Sequence, residues 1–265
     1  MSTLKTWTEG HVLHIRLNRP EVKNAFDERL IAELTDAFLS IRAPAPARVV
    51  CLSGEGAAFC AGGDLDWMRR AATWTRDENH ADALALFRML LAVRECPKPV
   101  LAAVRGFALG GGSGLAAACD RVIAEEGTQF GFTEVRLGII PGTISPFVVE
   151  KIGLTNARDL FTSGRKFPAS KAFQIGLVTD VVPAGTLDAA VGEALKDYLL
   201  AAPQAMLQAK GLAFEIADDL LRKPLKTLGP KVAALIASKR TDAEAQAGFE
   251  AFFAKKPAPW TQEPK

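Results

Sequence analysis

The sequence predicts an α/β fold in which a core of parallel strands is followed by a C-terminal region of helices. Short apolar runs typical of buried strands alternate with amphipathic helical stretches along the first two thirds of the chain, and this alternation favours a parallel sheet covered by helices. From residue 187 onward only amphipathic helical patterns remain. We therefore expect a core that contains the functional site over residues 1–196 and a helical region over residues 197–265.

The composition is that of a large globular protein. The chain has 265 residues, of which 49% are hydrophobic and 23% charged, and its net charge is +2. This balance gives no support for nucleic acid or a membrane as a partner. We expect no signal peptide and no membrane span. Four cysteines without metal or redox spacing predict reduced thiols in a cytoplasmic protein, and three histidines leave little for a metal site.

Several individual elements follow from local patterns. Residues 11–17 alternate as a strand does, and Asp27 is placed to cap a helix whose apolar residues share one face. Residues 48–52 and 100–104 are predicted to be fully buried strands, and each leads into a glycine-rich loop. A further helical face contains Leu84, Phe87 and Leu91. The remaining predicted strands are short: residues 122–124, 129–132 and 177–182.

The chain has two glycine-rich loops, one at residues 54–64 and one, ALGGGSGL, at residues 108–115. We consider three explanations for these glycines. A dinucleotide fingerprint at residues 54–59 fails because position 59 is Phe. A nucleophile elbow around Ser113 fails because position 115 is Leu and few histidines are available. An anion hole fits better, since glycines between a strand and a helix leave backbone N–H groups open to a substrate oxygen. Tight packing of strand and helix remains the alternative.

Two such loops predict two backbone donors. The segment AFCAGGDL at residues 58–65 also follows a predicted strand. Two backbone N–H groups that converge on one oxygen stabilise an enolate or a tetrahedral oxyanion.

Several motifs together resemble one enzyme superfamily. LNRPEVKNAF, AFCAGGDL, PVLAAVRGFALGGGSGLAAACDRVIA and FGFTEVRLGIIPG occur in this order within residues 12–182, and FFAKKPAP matches the C-terminal end. The chain thereby resembles the crotonase, or enoyl-CoA hydratase/isomerase, superfamily. The resemblance implies a spiral of ββα units, C-terminal helices that form trimers or hexamers and cap the site, an acyl-CoA thioester substrate, and no metal or separate cofactor.

The resemblance also implies roles for individual residues. The oxyanion donors are the N–H groups of Gly63 and Gly111, and Trp67 lies in the helix similar to the wall of the acyl pocket. Two lysines near the C-terminus resemble a position that approaches a CoA phosphate, with a solvated helix end as the less favoured alternative. The residues expected near CoA are Lys23, Ala25, Ala61, Asp64, Leu65, Lys255 and Lys256.

One acid of the family pattern is missing. Hydratases of this family carry a glutamate three residues after the donor glycine, where this chain has Gly114. The second family glutamate is present as Glu134 in GFTEVRLG, among apolar residues that should raise the pKa of its carboxyl group. We expect Gly114 to leave space beside the reacting carbons for a methyl branch.

A single glutamate leaves three functions open. A hydratase of branched enoyl-CoAs needs one acid/base, and EVRLGIIPGTISPFVV resembles bacterial methylglutaconyl-CoA hydratases. An enoyl-CoA isomerase would use the same glutamate to move a proton between C2 and C4. A non-catalytic scaffold that binds CoA or RNA would not require Glu134 or the donor glycines.

A carboxylated substrate would need a cation in the acyl pocket. Arg69 and Arg70 are the candidates, and at most one of them faces the pocket because adjacent helical residues point about 100° apart. Both could also be surface charges.

Overall fold

The larger of two sheets forms the centre of the molecule. This computed structural model describes residues 2–42, 45–201, 203–221 and 229–257. The large sheet has six strands, which are parallel except for the antiparallel pair at its N-terminal edge. In spatial order they are Leu4–Glu9 (β1), Val12–Leu17 (β2), Val49–Gly54 (β3), Val100–Val104 (β4), Arg121–Glu125 (β6) and Asp180–Val182 (β9).

A second, three-stranded sheet lies beside the functional loops. Phe107–Leu109 (β5) pairs in parallel with Gln129–Gly131 (β7), and Lys166–Pro168 (β8) pairs antiparallel with β7. Strand β5 ends where the glycine triplet begins, and β7 ends three residues before Glu134. This small sheet therefore fixes two segments of the site relative to each other.

Ten helices and two short 3₁₀ helices lie within the described ranges. The helices are Glu28–Ser40 (α1), Leu65–Ala71 (α2), Arg76–Arg94 (α3), Gly111–Ala118 (α4), Ser145–Ser163 (α5), Ala169–Gln174 (α6), Leu187–Leu200 (α7), Pro203–Leu221 (α8), Gly229–Arg240 (α9) and Ala243–Phe253 (α10). The 3₁₀ helices are Pro20–Val22 and Glu134–Leu137. Within this part of the chain, none of the helices combines the length and the apolar character that crossing a membrane requires.

The large sheet is covered on both faces. One face packs against α7 through Leu187, Val191 and Leu195, and the other contributes to the main core with α1, α3 and α5. Strands buried on both faces read as continuous apolar runs, which is why residues 48–52 and 100–104 were recognisable. The α/β prediction, with parallel strands at the centre of the sheet and helices over both faces, is confirmed.

Most local predictions are confirmed, with instructive exceptions. Asp27 caps α1 by accepting a hydrogen bond from the Leu30 N–H at 2.8 Å. The strand expected at 177–182 is shorter, since only Asp180–Val182 pairs with β6. Strand β1 was not predicted because Leu4 is its only buried residue. The expected domain boundary at residue 196 falls inside α7, and residues 202, 222–228 and 258–265 of the C-terminal region lie outside the described residues.

Candidate active site

The two glycine-rich loops lie against each other. The Cys60 N–H donates to the Phe107 carbonyl at 3.0 Å, and the Leu109 N–H donates to the Cys60 carbonyl at 3.1 Å. Gly62 has a φ of +95°, and a Cβ atom there would lie 2.9 Å from the Leu109 carbonyl oxygen. Only glycine permits this approach, which brings Gly63 next to the start of α4.

Both expected oxyanion donors have unused N–H groups. Gly111 is the first residue of α4, where backbone N–H groups have no partner within the helix. Within the described ranges, no backbone carbonyl accepts from the N–H of Gly63 or Gly111. Both glycines line the same cavity. The helix dipole adds partial positive charge at Gly111, so the arrangement suits a developing negative charge.

Glu134 lies beside these donors. Its Oε1 would be 3.2 Å from a Cβ atom placed on Gly110, the residue that precedes the Gly111 donor. Its Oε2 is buried and has no hydrogen-bond partner in the part of the chain that the structure describes. Burial raises the pKa of Glu134 to about 7, and the hydrogen bond from its own backbone N–H only partly opposes this. Such a group takes up and releases protons near neutral pH.

Glu134 and the two donors face one elongated cavity of about 440 Å³. Most of its wall is apolar, and Glu134 is the only carboxylate among the described residues that line it. Of the residues expected at the site, Ala61, Leu65 and Trp67 also line this cavity. Helix α10 contributes Phe249 and Phe252 to the wall, so the C-terminal region reaches the candidate site of the same chain.

The structure corrects the expectation for Gly114. Gly114 is buried and does not line the cavity, because the side chain of Ile144 lies directly over it. A Cβ atom on Gly114 would be 2.3 Å from Ile144 Cγ2 and 2.7 Å from Ile144 Cβ. The space is therefore not open for a methyl branch. Ile144 lines the cavity in its place and makes that wall aliphatic.

The structure also corrects the expectation for the two arginines. Arg69 is exposed, pairs with Asp66 at 3.2 Å and stacks on Phe253, whereas Arg70 is exposed and pairs with Glu28 at 2.7 Å. Neither lines the cavity. Both point to the outer surface of α2 because the opposite face of that helix buries Trp67 and Ala71.

Two other arginines line the cavity, Arg136 and Arg240, and of these Arg136 is exposed whereas Arg240 is buried. Arg240, the last residue of α9, is 9% exposed, lines the cavity and pairs with Asp82 at 2.7 Å. Sequence reasoning missed it because Arg240 and Asp82 lie 158 residues apart. A clue was present in the helical pattern, where Arg240 occupies a position that points toward the core.

The residues expected near CoA fall into four groups. Ala61 and Leu65 line the cavity. Lys23 lies over the Phe107 ring at 5.5 Å, and Lys166, which the sequence did not single out, lies over the same ring at 5.9 Å. Ala25 is buried, and Asp64 is held structurally because it caps α2 and pairs with Arg19. Lys255 and Lys256 are exposed directly after α10, and their role stays a prediction.

Ser113 has a structural role. Its hydroxyl is fully buried, donates to the Ala108 carbonyl and accepts from the Gly131 N–H at 3.2 Å. Both hydrogen bonds tie α4 to the small sheet, so the hydroxyl is not available as a nucleophile.

Known proteins match the chain over almost its whole length. The enoyl-CoA hydratase/isomerase family model matches residues 8–263. A Thermus thermophilus protein named "Putative enoyl-CoA hydratase" is 34% identical, over 94% of this chain and 97% of that protein. A crystal structure of an enoyl-CoA hydratase/isomerase from Marinobacter aquaeolei is 34% identical, with a TM-score of 0.78 and coverage of 99% and 100%. One of an enoyl-CoA hydratase from Mycobacterium avium is 29% identical, with a TM-score of 0.85 and coverage of 98% and 99%. The chain therefore belongs to the enoyl-CoA hydratase/isomerase family.

Proposed function

We propose that the protein adds water across the C2–C3 double bond of a branched enoyl-CoA, and removes it in reverse, with Glu134 as its sole acid/base. The observation that carries this proposal is the buried, unpartnered Oε2 of Glu134 beside Gly110, in a cavity that also exposes Gly63 and Gly111. A carboxylate in this position has a pKa of about 7. It can therefore accept a proton in one step and return it in the next.

The reaction then needs no second acid. The Gly63 and Gly111 N–H groups bind the thioester oxygen, and Glu134 takes a proton from water while the oxygen of that water bonds to C3. The electrons of the double bond move to the thioester oxygen as an enolate, which the two N–H groups stabilise. Glu134 then delivers its proton to C2, and the enolate collapses to the hydrated thioester. Addition is syn because one side chain handles both steps.

For the acyl group we propose methylglutaconyl-CoA, a methyl-branched substrate with a distal carboxylate. The likeness of EVRLGIIPGTISPFVV to hydratases of that substrate supports this choice. The aliphatic wall at Ile144 offers a surface for the methyl branch. Lys166, which lines the cavity, and Lys23, which lies over the same Phe107 ring, offer positive charge for the phosphates of CoA.

Replacing Glu134 tests the chemical step. Glutamine keeps the shape of the side chain but cannot accept a proton, so Glu134→Gln should lower kcat on methylglutaconyl-CoA by about 10³–10⁴-fold. Calorimetric Kd values for a saturated acyl-CoA should be unchanged, since the nucleotide contacts lie elsewhere. A loss of less than about tenfold with intact binding would assign the proton transfer to another group.

The isomerase alternative is favoured by one observation, since an aliphatic Ile144 occupies the side of the cavity where the family's second acid would lie. Both reactions require Glu134. Turnover in ¹⁸O-labelled water separates them, because only hydration transfers solvent oxygen to C3. We expect the label in the product. A shifted double bond without label would reject the hydratase.

A further inference from the structure

We propose that Arg240 is the specificity residue of this site and binds a carboxylate at the far end of the acyl chain. The inference rests on the proposed function and deepens it. Arg240 is a buried cation, 9% exposed, and it lines the cavity together with apolar side chains such as Trp67, Ile236 and Phe249. Arg136 and Lys166 also line the cavity, but Arg136 is exposed and Lys166 lies over the Phe107 ring. Burial of a charged group in such a wall is costly unless its hydrogen bonds are made.

The guanidinium is held from one side. Its Nη1 donates to Asp82 Oδ2 at 2.7 Å and to Asn79 Oδ1 at 3.4 Å. The other oxygen of Asp82 accepts from Trp67 Nε1 at 3.0 Å. The guanidinium carbon also lies 5.4 Å from the centre of the Trp67 ring. These contacts fix the plane and the position of the arginine before any substrate binds.

The rest of the guanidinium has no acceptor in the described ranges. Both of its hydrogen bonds there leave from Nη1, whereas an arginine has five N–H groups and can bind a carboxylate through two of them in parallel. Since Arg240 lines the cavity, an acyl chain that ends in a carboxylate would supply the missing acceptors. A purely apolar chain end would displace water from these N–H groups without supplying an acceptor in its place, so the site should disfavour it.

Trp67 contacts both the candidate oxyanion donor and the cluster that holds Arg240. Its Cζ3 lies 3.3 Å from the position of a Cβ atom on Gly63. Its Nε1, at the other end of the indole, donates to Asp82, which pairs with Arg240. All three of Gly63, Trp67 and Arg240 line the cavity. An acyl group whose thioester oxygen is bound at the Gly63 N–H would therefore reach Arg240 by extending along Trp67.

The wild-type protein tests the preference directly. We compare 3-methylglutaconyl-CoA with its neutral 5-carboxamide, which has the same shape without the charge. We expect kcat/KM to be at least tenfold higher for the carboxylate. Equal values for the two would overturn the proposal, since Arg240 would then recognise any polar acceptor. This comparison requires no variant to fold.

Two variants locate the preference. Arg240→Lys keeps the charge beside Asp82 but loses the two parallel N–H groups, and Arg240→Gln with Asp82→Asn removes both charges together. Each should raise KM for the carboxylate more than tenfold and lower the ratio of kcat/KM for 3-methylglutaconyl-CoA to kcat/KM for 3-methylcrotonyl-CoA by at least tenfold. Arg88→Gln, on the exposed face of α3, is the matched control and should change neither that KM nor that ratio. An equal loss on both substrates would mean a structural role and would overturn the proposal.

Equilibrium binding separates this inference from the proposed function. Calorimetry with glutaryl-CoA and butyryl-CoA measures the carboxylate preference without turnover, and we expect tighter binding of glutaryl-CoA by at least tenfold. If water is added to enoyl-CoAs but the two ligands bind alike, the assignment of Arg240 fails and the hydratase stands. If glutaryl-CoA is preferred but no label enters from ¹⁸O-water, the hydratase fails and Arg240 stands.

Discussion

Glu134 shows how a single residue acquires its chemistry from its position. The side chain follows β7 in the 3₁₀ helix Glu134–Leu137, which ends at Gly138 with a φ of +74°. A Cβ atom on Gly138 would lie 2.5 Å from the Glu244 carbonyl oxygen, so glycine is required for α10 to pass this close. The consequence is a carboxylate enclosed between the small sheet and α10, with a pKa of about 7.

The pH dependence of catalysis should report this pKa. Only the ionised carboxylate removes a proton from water, so kcat/KM for hydration should rise about tenfold per pH unit at low pH and level off above a pH of about 7. Initial rates between pH 5 and 9 measure the profile. A midpoint near 4.5, the ordinary value for glutamate, would contradict the burial of the charged group.

The same pKa shift predicts an effect on stability. The folded-state pKa lies above the unfolded value of 4.5, so the contribution of Glu134 to stability is most favourable below pH 4.5 and is lost as the pH rises through 7. Glu134→Gln removes this loss and should be more stable than the wild type by about 1–3 kcal/mol at pH 8.5. Urea unfolding at pH 4.5 and 8.5 measures the difference. The exposed Glu126→Gln is the control and should show no such gain.

At the scale of elements, a close contact between α4 and the start of α5 occupies the space where the side chain of the family's missing glutamate would lie. Helix α4 begins with Gly111, and its Gly114 faces Ile144, the residue immediately before α5. The two helices approach so closely that no side chain fits at position 114. A glutamate there would not restore a second acid, because it would have to displace α5.

Gly114→Ala should therefore be destabilising, although alanine is the better helix former. The new Cβ would lie 2.3 Å from Ile144 Cγ2, and overpacking of this kind costs about 1–3 kcal/mol. Gly192→Ala in α7, where a Cβ atom meets nothing within 4 Å, is the control and should stabilise by up to about 1 kcal/mol. Urea midpoints measure both. Combining Gly114→Ala with Ile144→Ala should recover part of the loss, and strict additivity would contradict the contact.

At the scale of the whole molecule, one site draws on segments from across the chain. The oxyanion donors come from two loops, the acid/base from the turn after β7, and the distal arginine from the end of α9.

The outer surface carries exposed large apolar residues, among them Leu154, Phe173, Leu200 and Leu212. Such residues mark a partner's surface only where they form one contiguous patch.

We expect the chain to assemble with itself. Burial of the exposed leucines between copies would stabilise a trimer, or a hexamer of two trimers, by removing apolar surface from water. Sedimentation equilibrium should give three or six times the 28.3 kDa mass of the chain. A monomer at micromolar concentration would contradict the expectation.

The sequence by itself determined the features that local rules govern. The cap at Asp27, the buried strands β3 and β4, and the glycines that open the donor loops each depend on residues only a few positions apart. For the same reason Glu134 could be placed among apolar neighbours before its surroundings were known. The resemblance to the enoyl-CoA hydratase/isomerase family depended on short motifs that occur in the family's order along the chain.

Only the tertiary structure decided what surrounds these residues. It turned Arg69 and Arg70 outward, filled the space beside Gly114 with Ile144, and brought Arg240 to Asp82 across 158 residues. Contacts of this kind depend on how every intervening element packs, and no periodicity in one sequence records them. The residue that we propose as the acid/base was therefore readable in the sequence, whereas the position of Arg240 at the cavity was a result of folding.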